Sequence, residues 1–238
     1  MADRYFVQLP ITADRAVLDG PEAHHLLHVM RAKIGSEATL FDGSGAEFQA
    51  RVEKLARSEV ELSIVSRQEI DRESATQVVL GVALPKGDRQ RWLIEKCTEI
   101  GVAQLSPLGT ARSVADAGDK SLERLRRNVV EASKQCGRTR LMQINPVESW
   151  SDFIRSANSD LRLVALPGGD SCAQVFRDWL TVRCRTVHIA IGPEGGLTDD
   201  EVAISREQGW RPVDLGRRIL RIETAAVAFA GLFTLTSE

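Results

Sequence analysis

His188 to Ala225 reads HIAIGPEGGLTDDEVAISREQGWRPVDLGRRILRIETA. A short apolar run, Val187–Ile191, meets an abrupt Gly192-Pro193-Glu194-Gly195-Gly196. Thr198 then opens a helix as a candidate N-cap, with Glu201 three residues on as its capping-box partner. A second apolar strand, around Pro212–Leu215, breaks at Gly216 into Arg217-Arg218-Ile219-Leu220-Arg221, and a helix of small apolar residues is expected from there to the C-terminus. Twice, a buried strand ends in a glycine turn whose backbone N–H groups can meet a ligand. Open α/β sheets place their sites at such strand ends.

Upstream, strands and helices alternate. Val78–Leu84, Gln104–Leu108 and Leu161–Leu166 read as strands. Helices are expected up to Glu99 and over Leu122–Cys136, Trp150–Ala157 and Ala173–Leu180. That alternation is the signature of a parallel sheet covered on both faces. Residues 66–76, SRQEIDRESAT, are polar and aperiodic, which places a linker there. Before it the chain is β-rich. Arg4–Leu9, Glu37–Phe41, Phe48–Lys54 and Glu59–Val65 read as strands, with Asp42-Gly43-Ser44-Gly45 as a turn and Pro21–Arg31 as one short helix. Residues 1–70 thus predict a small β-barrel domain, and 77–238 an α/β domain.

The 238 residues suffice for two modest domains, and at 43% hydrophobic with only 5% aromatic the core must come from Val, Leu, Ile and Ala. No apolar run approaches the roughly 20 residues of a membrane span, and MADRYFVQLP lacks a secretory h-region. Cys97, Cys136, Cys172 and Cys184 show no C-x-x-C pairing, which predicts reduced thiols in a cytoplasmic protein. A net charge of −2 excludes a globally basic nucleic-acid binder but not a local face. Residues 121–140 carry Arg124, Arg126, Arg127, Lys134, Arg138 and Arg140 against Glu123 and Glu131, a local excess of four positive charges.

Three junctions, Leu166-Pro167-Gly168-Gly169, Gly192–Gly196 and Leu215–Arg218, end apolar strands, yet none is G-x-G-x-x-G or a phosphate loop. Dinucleotide and ATP binding therefore lack support. His24 and His28 share a helical spacing, but no third ligand follows, so packing or polar contact is expected rather than metal. No Ser-His-Asp or Cys-His arrangement suggests covalent catalysis.

IGPEGGLTDDE followed by LGRRILRIETA resembles the two C-terminal motifs of the RsmE family, 16S rRNA uridine-N3 methyltransferases of the SPOUT superfamily. HHLLHVMR, FDGSG, LPKGDR with EKCTEIGV, and KQCGR match in the same order; His-Val-Met-Arg in place of His-Val-Leu-Arg is the one departure, and it conserves volume. The resemblance implies a PUA-like RNA-binding barrel followed by a SPOUT α/β domain tied in a deep trefoil knot. It implies a cytoplasmic homodimer with neither metal nor membrane, and S-adenosylmethionine (SAM) as cofactor. The reaction implied is methylation of N3 of a uridine in 16S rRNA of the small subunit, uridine 1498 being the family's target. A SPOUT enzyme acting on another RNA such as tRNA, or a non-catalytic RNA-binding assembly factor, are the alternatives.

Carried onto this chain, the resemblance nominates Leu166, Pro167, Gly192, Pro193, Glu194, Gly195, Gly196, Leu215, Gly216, Ile219, Leu220, Arg221, Thr224 and Ala225 as cofactor-binding. Arg221 would reach the uracil, whose developing charge a fixed cation stabilises, or its phosphate; Arg218 would support the loop, and Glu223 would orient Arg221 or take the proton. The basic segment and the barrel helix supply His25, Arg31, Arg124, Lys134, Arg138 and Arg140 as RNA contacts.

Overall fold

The computed structural model describes residues 4–113 and 118–236. It forms two compact units, Met1–Glu73 with Ser133–Leu141, and Ser74–Ala132 with Met142–Glu238.

The first unit is a five-stranded sheet of β1 (Arg4–Phe6), β2 (Arg15–Leu18), β3 (Glu37–Phe41), β4 (Ala46–Leu55) and β5 (Val60–Glu69). Its order is β1-β3-β4-β5-β2, with β1 parallel to β3 and every other pair antiparallel. Among the described residues no ladder joins β1 to β2, so the expected barrel is not closed by strand pairing at that seam. Two register shifts interrupt the β4–β5 ladder, an irregularity of the kind that bends strands. Alternation along β4 buries Ala46, Phe48, Ala50 and Val52 in one core with Tyr5, Leu18, Leu40 and Leu62. The expected helix is α1 (Gly20–His24), prolonged by a π-helical turn His25–Val29 that turns Leu26 inward.

Two sequence expectations change here. Ser66–Glu69, read as linker, extend β5 and pair with Ala46–Gln49. Ladder bonds use backbone groups, so polar side chains on an exposed end do not prevent a strand. Residues 133–141, read as part of the second domain, group with the first unit. Arg4 donates to Ser133 O at 2.8 Å, Arg72 to Gly137 O at 2.6 Å and Thr139 Oγ1 to Ile70 O at 2.7 Å.

The second unit carries β6 (Gln77–Val82), β7 (Gln104–Gly109), β8 (Gln143–Ile144), β9 (Glu148–Ser149), β10 (Leu161–Ser171), β11 (Thr186–Ile191) and β12 (Arg211–Asp214). All pairs are parallel, in the order β12-β10-β11-β6-β7-β8, with β9 beside β7. Its helices are α2 (Asp88–Glu99), α3 (Asp119–Cys136, which from Ser133 on groups with the first unit), α4 (Trp150–Ser156), α5 (Cys172–Val182), α6 (Asp199–Glu207) and α7 (Ile222–Thr234). The helix expected to reach the C-terminus thus ends at Thr234, and Ser237–Glu238 lie outside the described residues. Central β6 buries Val78, Val79, Leu80 and Val82, as a strand covered on both faces must. Gly81 is required there: a Cβ would sit 2.4 Å from the Phe153 ring. From β6 the chain builds outward to β7 and β8, then returns to place β10, β11 and β12 on the other side. Ligand sites in such sheets lie at the carboxyl edge of the strands, here the edge formed by β10, β11 and β12.

Candidate functional site

Three strands deliver the site. β10, β11 and β12 end side by side, so Ala165, Ile191 and Val213 form the floor of a cavity of about 350 Å³. The β10 segment is not the plain strand-to-helix turn expected. The strand bulges over 166–169 and resumes at Asp170, paired with Val213. Gly169 permits this, because a Cβ would lie 2.6 Å from the Pro212 backbone.

Asp214, at the end of β12, joins two of the loops. Its carboxylate accepts from Gly168 N at 2.9 Å and from Gly216 N at 2.8 Å. Those two backbone bonds hold the carboxyl below its ordinary value. The middle loop folds on itself through Gly196 N to Pro193 O at 2.9 Å, with Gly196 at φ +72°. After it, Thr198 and Glu201 make the full capping box anticipated from their spacing.

Of the residues nominated for the cofactor, Leu166, Pro167, Gly192, Pro193, Glu194, Gly196, Leu215, Gly216, Ile219, Leu220 and Ala225 line this one cavity. Gly195, Arg221 and Thr224 do not. Arg218 lines it as well, together with Asp214, Arg217, Leu197 and Ile222, which sequence reasoning passed over. Ile219, an apolar side chain of the cavity lining, stands 99% exposed. Arg221 is exposed at the N-cap of α7.

Glu223, on the first turn of α7, is 6% exposed between cavity-lining Ile222 and Ala225. Its Oε2 is buried without a hydrogen-bond partner. No bond to Arg221 holds it; the cation it faces is Arg89, whose Nη1 lies 3.8 Å away and 2.5 Å from Glu194. Its expected role of orienting Arg221 is therefore corrected. Arg89, which opens α2, was missed because nothing in LPKGDR marks an arginine bound for residues 105 and 134 positions further on.

The RNA nominees separate. Arg31 and Arg140 are exposed, Arg31 at φ +53° and Arg140 with its guanidinium over Gly45. Arg124 is exposed but donates to Gln90. Lys134 is half-buried with its ammonium 2.9 Å from Glu22. His25 packs on Tyr5, ring centroids 5.8 Å apart. Arg138 is 3% exposed and bound through Nε and Nη2 to Glu73, so as an RNA contact it is corrected to a structural residue. The His24 and His28 rings lie 4.7 Å apart, and among the described residues no three His, Cys, Asp or Glu side chains cluster to hold a metal. Among the same residues no helix is long and apolar enough to cross a membrane.

Residues 72–234 match the RNA methyltransferase domain family, and residues 18–65 the RNA methyltransferase PUA domain. Ribosomal RNA small subunit methyltransferase E of Bacillus subtilis is 30% identical over 235 residues, covering 93% of this chain and 92% of the relative. A Legionella pneumophila structure in complex with the bound cofactor SAM matches with a TM-score of 0.89 at 30% identity, over 98% of this chain and 97% of its own. Ribosomal RNA small subunit methyltransferase E of Neisseria gonorrhoeae, bound to S-adenosyl methionine, matches with a TM-score of 0.84 at 27% identity, over 99% and 98%.

Proposed function

This chain belongs to the ribosomal RNA small subunit methyltransferase E family, and on that premise we propose that it methylates N3 of a uridine in 16S rRNA, using SAM. The observation that carries the reading is the convergence of three strand ends on one cavity lined by Arg217, Arg218 and Glu194, with the buried Glu223 carboxylate on the adjoining turn of α7.

The residues fit the cofactor. Leu166, Leu215, Leu220 and Ile222 offer an apolar wall for a flat adenine ring, and glycine backbone lets polar groups approach main-chain N–H and C=O. Glu194 and Glu223 supply negative charge for a cationic ligand. When bound, SAM supplies an electrophilic methyl group on positively charged sulfur.

The remaining work falls to this chain. The loops hold the acceptor base in line with the methyl group and exclude water. Loss of the N3 proton places negative charge on O2 and O4 of the uracil. Arg221, exposed at the start of α7, stabilises that charge, and the α7 N-terminus adds to it. Arg218 shapes the cavity wall, and Glu223 is the carboxylate that receives the proton.

The same reading takes 1–70 as a PUA-like RNA-binding domain and 77–238 as a SPOUT domain with a deep trefoil knot. α7, packed against α2, β6 and β11, would be the element drawn through. It also makes the protein a cytoplasmic homodimer joined through the SPOUT domain, with the small subunit as substrate. Small subunits from a strain lacking this gene, incubated with protein and labelled SAM, should acquire one 3-methyluridine in 16S rRNA by mass mapping. Label found in tRNA, or none, would refute the reading.

A further inference from the structure

Arg112 lies outside every motif quoted above, on the turn that follows β7 at the same carboxyl edge as the cavity. The turn is built rather than loose. Thr110 N donates to Ser113 Oγ at 2.9 Å, and Ser113 N to Thr110 O at 3.1 Å. Ala111 N donates to Glu201 Oε1 at 2.8 Å, while the other oxygen of Glu201 accepts from Thr198 N at 2.8 Å. A single buried carboxylate, 8% exposed, thereby joins the turn to the start of α6, directly after the Gly192–Gly196 loop.

The side chain is fixed as well. Arg112 Nη1 donates to Gly195 O at 2.8 Å, and its stem runs 3.4 Å from where a Gly195 Cβ would stand. That contact occupies one of five guanidinium donors. The side chain is exposed, and no carboxylate among the described residues pairs with it. An ordinary surface arginine spreads over many rotamers; this one is held with its fork open beside cavity-lining Gly196.

We propose that Arg112 forms a subsite for an anionic oxygen group at the rim of the cavity, and that its ligand is a phosphate of the RNA strand presenting the target base. The proposal rests on the methyltransferase reading above. An anionic oxygen could also come from the cofactor's carboxylate. The phosphate is favoured because neither Arg112 nor Gly195, the residue it grips, lines the cavity that would hold the cofactor. A planar fork with fixed geometry suits phosphate recognition.

The test uses the full-length protein and intact small subunits. Arg112→Gln keeps a donor for Gly195 O and removes the charge. Equilibrium binding should weaken about tenfold, and the slope of log affinity against log salt should flatten by about 0.7–0.9, one phosphate contact. SAM affinity by calorimetry should stay within about twofold, and Arg112→Lys should restore the salt slope. Unchanged subunit affinity and slope in Arg112→Gln would overturn the proposal. Lost SAM affinity with an unchanged slope would assign Arg112 to the cofactor's carboxylate and overturn it too. Wild-type protein that binds neither SAM nor small subunits would bring down the underlying reading, a result distinct from either.

Discussion

Arg138 grips Glu73 with Nε at 2.8 Å and Nη2 at 2.5 Å, and only 3% of the arginine reaches solvent. The two residues lie 65 positions apart, and their pairing anchors residues 133–141 to the first unit. In the sequence Arg138 is one more positive charge in a basic segment. In the fold it is a cross-link.

Removing it should therefore cost stability. Arg138→Ala leaves a partly buried Glu73 carboxylate without its cation, and breaking such a pair costs about 3 kcal/mol. Urea titration should show the loss, with the salt slope of RNA binding unaltered. An equally stable variant with a flatter salt slope would return Arg138 to the list of RNA contacts.

Asp214 should govern the cofactor site without governing the fold. Its carboxylate ties Gly168 to Gly216 across two strand ends. Asp214→Ala releases both loops, and loss of two charge-assisted bonds should weaken SAM binding about tenfold or more. Thermal unfolding should change little, since the group is at the surface edge of the sheet. Unchanged SAM affinity by calorimetry would show that the loops keep their shape without it.

Stability should depend on pH through His188. The ring packs beside Phe153 and Trp210 and shares a 2.8 Å bond with Ser159 Oγ. Burial foremost, then the charge of Arg162, lowers its pKa below the ordinary 6.5. The unfolded chain consequently binds the proton more readily, so this contribution is present above about pH 6.5 and is lost as pH falls below it. The loss of melting temperature between pH 7 and pH 5 should be smaller in His188→Gln than in wild type. Parallel curves would clear His188 of the effect.

Legibility in the sequence followed the range of the interactions. The capping box at Thr198 and Glu201 spans three residues and could be read directly. The ends of β11 and β12 were marked by glycines, and of these Gly192, Gly196 and Gly216 line the cavity. What stayed hidden was long-range. Arg89 reaches Glu194, Arg112 reaches Gly195, and Arg138 reaches Glu73; a charged residue carries no periodicity that names its partner. The resumption of β10 at Asp170 was equally invisible, because Pro167-Gly168-Gly169 reads as a stop and only pairing with β12 makes it a bulge. The short strand β2 was missed for a related reason: four residues with alternate burial give too little pattern to separate from a loop.

Arg221 and Glu223 should fail in different ways when replaced, and the difference tests the chemistry. Arg221 is exposed at the α7 N-cap and off the cavity lining, so its removal disturbs neither the wall nor the core. If it acts on charge that exists only as N3 loses its proton, Arg221→Ala should lower the single-turnover rate about 100-fold or more while small-subunit affinity changes little. Glu223 is buried, with Arg89 as its facing cation, so Glu223→Gln keeps the shape and removes the proton acceptor. Its rate should also fall, but raising pH should recover part of it, because more of the uracil then ionises without help. Arg221→Ala should show no such recovery, since the charge still has no partner. The measurement is single-turnover methylation of small subunits at saturating protein and SAM across a pH series. An Arg221→Ala variant that keeps its saturated rate and loses only affinity would make Arg221 a docking residue. A pH-independent deficit in Glu223→Gln would make Glu223 a structural partner of Arg89.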